Sequence, residues 1–246
     1  MSLPPFSHTA LLLDLDGTLL DIAPTPDSVV VPPELLDTLT RLRDALAGAL
    51  AVISGRPVEQ VDALLAAIPT AVSGEHGGAL RPHPAGTLRR PDLPTAPAAW
   101  YDAAERLVAA HPGALLERKA RGFVAHYRLA PLAGPALHDA LAALIAPRAR
   151  DFLLLRAHMA WEVRPAGTDK GTAVRAIMAL PPFAGRLPLF IGDDVTDQDG
   201  INAARALGGT GLFVPQTSLG DAAGVRAWLT EAARAGAWPA LRQDQG

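Results

Sequence analysis

Leu11-Leu12-Leu13 runs directly into Asp14-Leu15-Asp16-Gly17-Thr18, and no other stretch restricts the fold of this chain so strongly. Three consecutive leucines suit a strand buried on both faces, which belongs in a parallel sheet covered by helices. Such strands project reactive groups from their carboxyl ends. Asp14 and Asp16 therefore stand together at one sheet edge, beside a glycine free to adopt turns closed to other residues. Backbone amides around that turn point at an anion. Bare carboxylates would repel the anion, so a cation is implied, and an oxygen-only site without histidine clusters or thiols favours a hard ion, most simply Mg²⁺. The ordinary alternative, that both aspartates are turn and helix-cap residues, stays open on this segment alone.

The rest of the sequence alternates strand and helix in the manner of a parallel sheet with right-handed crossovers. Strands are expected at Leu11–Leu15, Leu50–Ser54, Thr70–Ser73, Leu189–Ile191 and Gly211–Val214. Between them lie helices at about Glu34–Ala47, Val58–Ala67, Thr172–Ala179 and Gly200–Leu207, with a last helix at Ala222–Ala235. After Gly78 prolines cluster, and from Ala98 the pattern becomes helix, hairpin, helix, strand. In that part Leu115–Lys119 and Phe123–Leu129 flank Arg121-Gly122, which reads as a tight antiparallel turn. Leu137–Ile145 reads as a helix and Leu153–Val163 as one or two strands. The expectation is a core of residues 1–81 and 166–246 interrupted by an inserted α/β domain at 82–165.

With 22 Lys and Arg against 25 Asp and Glu, the net charge of −3 offers no broad electrostatic footprint for nucleic acid. Cysteine is absent, which excludes disulfides and thiolate metal sites. No basic flank followed by an apolar stretch opens the chain, and no apolar run approaches the ~20 residues of a membrane span. A cytoplasmic monomer that engages neither membrane nor nucleic acid is expected. Among the basic residues only Lys119 and Lys170 are lysines. In so arginine-rich a chain, a lysine suggests a need for a compact point charge.

Asp14-Leu15-Asp16-Gly17-Thr18 resembles the first motif of the haloacid dehalogenase superfamily. Ile53-Ser54-Gly55-Arg56 resembles its second motif, Asp169-Lys170-Gly171 its third, and Ile191-Gly192-Asp193-Asp194-Val195-Thr196-Asp197 its fourth. The resemblance implies a Rossmann-like core of haloacid dehalogenase type with an inserted, mobile α/β cap. It further implies that Asp14 attacks phosphorus, that Asp16 serves as general acid and base, and that Lys170 neutralises the phosphate and steadies Asp14. Mg²⁺ would be held by Asp14, by the backbone carbonyl of Asp16 and by Asp193. Adjacent side chains in an extended segment diverge, which puts Asp194 in a supporting role. Asp197 either orients that support or caps the next helix. Gly17, Thr18, Ser54, Gly55 and Lys170 would bind phosphate, although Ser54 alone could be an ordinary strand-end hydroxyl.

Glu117 and Lys119 lie one residue apart on an expected strand and so share a face, and His126 and Arg128 repeat that spacing on its partner. From the residues alone, a solvated cross-strand ion pair is the favoured reading. Glu117-Arg118-Lys119, however, resembles the Glu-x-Lys cap signature of trehalose-6-phosphate phosphatases. Glu75-His76-Gly77, His126-Tyr127-Arg128 and Trp161-Glu162-Val163-Arg164-Pro165 resemble further parts of that family. The similarity implies a Mg²⁺-dependent hydrolase of trehalose 6-phosphate working through an aspartyl-phosphate. Arg56, His76, Glu117, Lys119, Arg128 and Glu162 would contact this small sugar phosphate. Gln198 stands where the family commonly has Glu, and Asp169 where it commonly has Asn. A phosphatase of another sugar phosphate (sucrose, mannosylglycerate or hexose phosphate) is the nearest rival reading. A non-catalytic sugar-phosphate-binding subunit is a more distant one, since binding alone needs no nucleophile paired with an acid.

Overall fold

A computed structural model describes residues 3–25 and 28–241. The chain divides into two compact units, one formed by residues 1–90 and 168–246 and the other by residues 91–167. Residues 82–90, which the proline content places with the insert, group with the first unit. Among the described residues no helix is long and apolar enough to cross a membrane.

In the first unit β1 (Thr9–Leu13), β2 (Leu50–Ile53), β3 (Ala71–Gly74), β4 (Ala79–Arg81), β9 (Leu187–Gly192) and β10 (Thr210–Phe213) form one sheet in the order β10-β9-β1-β2-β3-β4. The strands are parallel except for β4, which runs antiparallel to β3. Leu11, Leu12 and Leu13 point alternately to opposite faces and all are fully buried, so helices cover both sides. Apolar residues of α1 (Pro33–Ala45), α2 (Val58–Leu64), α5 (Lys170–Met178), α6 (Gln198–Ala206) and α7 (Ala222–Ala235) share this core. Full burial of a leucine side chain contributes about 1.5–3 kcal/mol, so the triple leucine anchors the centre of the sheet. Leu13 lies opposite Val52 and Ile191. This register alone brings Asp14, Ser54 and Asp193 out at one edge.

The inserted unit is a four-stranded antiparallel sheet in the order β5-β6-β8-β7, with two helices. Its elements are α3 (Ala98–Ala109), β5 (Leu115–Arg118), β6 (Phe123–His126), α4 (Gly134–Ile145), β7 (Phe152–Ala157) and β8 (Ala160–Pro165). Phe123, Ala125, Val163 and Phe152 form one apolar face, packed with Trp100, Tyr101, Leu137 and Leu141 of the helices. Edge-on ring contacts, Trp100 to Phe152 at 5.1 Å and Tyr101 to Phe123 at 5.5 Å, fix the α3 packing.

Most elements shift from the sequence reading by a few residues at an end, and three differences bear on the site. β1 ends at Leu13, so Asp14 begins the turn rather than continuing the strand. β6 ends at His126 instead of Leu129. Tyr127 to Ala130 closes a turn through an Ala130 N–H to Tyr127 carbonyl bond of 2.9 Å, and Pro131 then starts a short 3₁₀ segment. Arg128 therefore lies off the strand, and the alternation that placed it on the His126 face does not apply. Leu153–Val163 proves to be the hairpin of β7 and β8, turning at His158-Met159, where Met159 takes a left-handed φ of 52°.

Candidate active site

Lys170 opens α5, and its ammonium sits between two buried carboxylates, 2.5 Å from Asp14 Oδ1 and 2.6 Å from Asp197 Oδ1. The helix starts there because Asp169 caps it: its side chain accepts the Thr172 N–H at 2.6 Å, while the Thr172 hydroxyl closes the reciprocal half of the box. Asp169 is thus the helix cap and the side chain that fixes where Lys170 begins. Asp197 is fully buried, and its Oδ2 accepts the Asp193 and Asp194 N–H groups, each at 3.0 Å. It therefore organises the acidic loop as well as binding Lys170. Asp194 turns aside to cap the short 3₁₀ turn Val195–Asp197, accepting the Val195 N–H at 2.6 Å. Gln198 bonds Asn202 on the exposed side of α6.

Asp193 reaches back toward the first motif, where the Thr18 hydroxyl donates to its Oδ1 at 2.7 Å. Gly17 makes that approach possible. Its φ is +88°, and a methyl group there would lie 2.1 Å from Asp193 Oδ2. Asp14, Asp193 and Asp197 present carboxylate oxygens within 4.8 Å of one another. One buried ammonium cannot neutralise three carboxylates. Burial, then Asp197 and Asp193, push Asp14 well above the usual carboxylate range despite Lys170. Burial also raises Asp193, against the Thr18 bond and with the help of Asp197. For Lys170 burial acts against the charge, but Asp14 and Asp197 outweigh it and hold the ammonium above the ordinary lysine range. An all-oxygen donor set with surplus negative charge fits a hard divalent cation. Asp197 is committed to Lys170 and the loop amides, which leaves Asp14 and Asp193 as the carboxylates to hold such an ion.

The second motif follows β2. The Ser54 hydroxyl accepts the Arg56 N–H at 3.1 Å, and the Arg56 guanidinium forks onto Asp16, with Nε to Oδ2 at 2.7 Å and Nη2 to Oδ1 at 2.8 Å. Asp16 is thereby drawn out of the buried carboxylate cluster that holds Asp14. His76 lies over Gly55, whose absent side chain would meet the imidazole Nε2 at 2.4 Å. Ser54, Gly55, Arg56 and His76 are thus one packed group in the first unit. The pairing of Arg56 with Asp16 carries no sequence signal, because 40 residues separate them.

In the inserted unit, Glu117, Val124 and Glu162 are direct neighbours across β5, β6 and β8, on the face opposite the helices. Lys119 continues that face, 3.5 Å from Glu162 Oε1, with both side chains more than nine-tenths buried. His126 Nε2 meets Glu117 Oε2 at 2.9 Å. Burial opposes the charge on Glu117, yet the His126 bond and then Lys119 hold it below the usual range. The cross-strand pair expected on this face is present between Glu117 and His126, about one-fifth exposed, whereas Lys119 pairs with Glu162 of β8 and is buried. Buried ion pairs cost desolvation, so a polar sheet face of this kind is poor evidence for stability.

A parallel sheet whose carboxyl edge gathers a buried aspartate, a bridging lysine and an acidic loop, with an α/β unit inserted between second and third motifs, defines a protein of the haloacid dehalogenase fold. Comparison with known proteins narrows this. The model of the trehalose-phosphatase family matches residues 12–223. A probable trehalose-phosphate phosphatase of Sinorhizobium fredii is 39% identical over 87% of this chain and 81% of its own length. The trehalose-6-phosphate phosphatase of Escherichia coli K12 is 40% identical over 89% of this chain and 85% of its own. Among solved structures, the C-terminal domain of Candida albicans trehalose-6-phosphate phosphatase superposes with a TM-score of 0.68 at 22% identity, covering 82% of this chain and 74% of that one. The chain belongs to the trehalose-phosphatase family.

Proposed function

We propose that the protein hydrolyses trehalose 6-phosphate to trehalose and phosphate. The observation that carries this is the buried contact of Lys170 with Asp14 at the edge that also presents Ser54 and Asp193, in a chain of this family. A phosphate monoester resists attack by anions, so the site must neutralise charge and hold the reactants in line. Asp14 attacks phosphorus and the bond from phosphorus to the sugar oxygen breaks, leaving an aspartyl-phosphate. Asp16 gives its proton to the departing oxygen. It then takes one from the water that cleaves the intermediate, which regenerates Asp14 and releases phosphate. Lys170, Ser54 and the amides of Thr18 and Gly55 bind the phosphoryl oxygens, while the Gly17 N–H closes the turn on the Leu20 carbonyl at 2.7 Å. Asp14, Asp193 and the Asp16 carbonyl would hold Mg²⁺, whose charge, when it is bound, offsets that between the carboxylates and the phosphate.

Arg56 has a second part in this scheme. Phosphoryl oxygens compete with Asp16 for its fork, and Asp16 becomes available as an acid when Arg56 turns to them. Glu117, Lys119 and Glu162 supply hydrogen bonds to sugar hydroxyls, with His126 fixing Glu117, and the inserted unit thereby acts as a cap that reads the sugar. His76 and Arg128 complete the polar set. The reaction is assigned to a cytoplasmic monomer, which size-exclusion chromatography and cell fractionation check. Phosphate release from trehalose 6-phosphate, sucrose 6-phosphate and glucose 6-phosphate, with and without Mg²⁺, tests the whole reading. Equal turnover of all three would overturn the disaccharide assignment, and full activity in chelator would overturn the metal.

A further inference from the structure

The turn Glu75-His76-Gly77 holds three successive residues in the left-handed region, with φ of 53°, 52° and 94°. Glycine takes that conformation freely, but Glu75 and His76 do so only under strain, so surrounding contacts must impose it. Those contacts run in three directions within the first unit. The Glu75 N–H donates to the Arg56 carbonyl and the His76 N–H to the Ser54 carbonyl, each at 3.0 Å, which ties the turn to the Ser54–Arg56 loop. Gly77 lies against the start of α5, since a methyl group there would be 2.7 Å from the Asp169 carbonyl oxygen. Asp169 caps the helix whose first residue is Lys170. Third, the buried Glu75 carboxylate receives Arg90 Nη1 at 2.8 Å.

Arg90 is the last residue of this unit before the chain leaves it. Its neighbour Arg89 is fixed as well, exchanging both backbone hydrogen bonds with Leu80 at 2.8 Å. We propose that Arg90 is a positioning residue of the phosphate site. By holding Glu75 it fixes a turn that sets Ser54–Arg56 on one side and Lys170 on the other, and it fastens the outgoing linker to the same point. A buried carboxylate stripped of its cation would pull toward solvent and take the strained turn with it. The inference rests on the phosphatase chemistry proposed above and is independent of which sugar the enzyme reads.

The test uses p-nitrophenyl phosphate turnover in Mg²⁺ and calorimetric titration with inorganic phosphate, because neither involves sugar recognition. Arg90→Ala should lower kcat/KM by about 10- to 100-fold, as small misplacements of catalytic groups do, and weaken phosphate binding in parallel. Arg90→Lys should restore most of both. Arg90→Ala combined with Glu75→Gln should be no worse than Arg90→Ala alone, since the two act as one device. Arg90→Gln provides the same reading should the alanine variant not fold. Unchanged turnover and phosphate binding in a folded Arg90 variant, or losses at Arg90 and Glu75 that multiply independently, would overturn the proposal. Wild-type protein that turns over p-nitrophenyl phosphate but not trehalose 6-phosphate would refute the sugar assignment and leave this test intact.

Discussion

A methyl group at position 17 would demand space that Asp193 Oδ2 already fills and a φ that L-residues rarely adopt. Gly17→Ala should therefore displace Asp193 rather than unfold the sheet. The expected result is a loss of about 100-fold in turnover, with weaker Mg²⁺ dependence and a melting temperature lowered by only a few degrees, followed by phosphate release across a Mg²⁺ series and by thermal melts. Asp14→Asn should abolish turnover outright, whereas Asp16→Asn should slow both formation and cleavage of the intermediate. Substantial steady-state activity in Asp14→Asn, with deamidation excluded by mass spectrometry, would sink the nucleophile assignment. At this scale the motif residues were legible because short-range chemistry selects them: a glycine where a turn needs it, carboxylates where a strand ends. The bonds from Asp197 to Lys170 and from Arg56 to Asp16 were not, since a long-range partner leaves no trace in local pattern.

At the level of elements, the proposed function assigns recognition to the polar face of the inserted sheet and chemistry to the edge of the parallel sheet. Glu117→Gln, Lys119→Met and Glu162→Gln should each reduce kcat/KM for trehalose 6-phosphate by about 1–3 kcal/mol, the value of a hydrogen bond to a sugar hydroxyl, while sparing p-nitrophenyl phosphate. Equal losses on both substrates would mean a structural defect instead. Period-two alternation made the Glu117 and Lys119 face readable. It failed at Arg128, where Pro131 forces a turn before the strand can run that far. β4 has no readable pattern, because three residues carry too little periodicity, and only its pairing with β3 makes it a strand.

For the molecule as a whole, the raised positions of Asp14 and Asp193 give a pH signature. Groups whose folded pKa exceeds the unfolded value contribute stability that is complete below the ordinary carboxylate range and is lost as pH rises through the folded value. Chelated protein should accordingly gain more from Mg²⁺ at pH 8 than at pH 5.5, since ion binding requires the carboxylates ionised. Thermal melts with and without chelator measure that increment, and an equal gain at both pH values would contradict it. The alternation of strands and helices made the two-unit plan visible, but the division after Arg90 depends on the Leu80 to Arg89 pairing, which composition does not encode. The order of strands has a further consequence for biogenesis. β1 and β9 are neighbours, yet the whole inserted unit is synthesised between them. On the ribosome, one edge of β1 waits unpaired while the insert, whose core is its own, is already complete. Chains stalled so that residues up to Gly167 have just cleared the ribosome should resist protease within 91–167 and be cut near β1. A message truncated before codon 187 would then yield a finished insert attached to a catalytic edge that can never close.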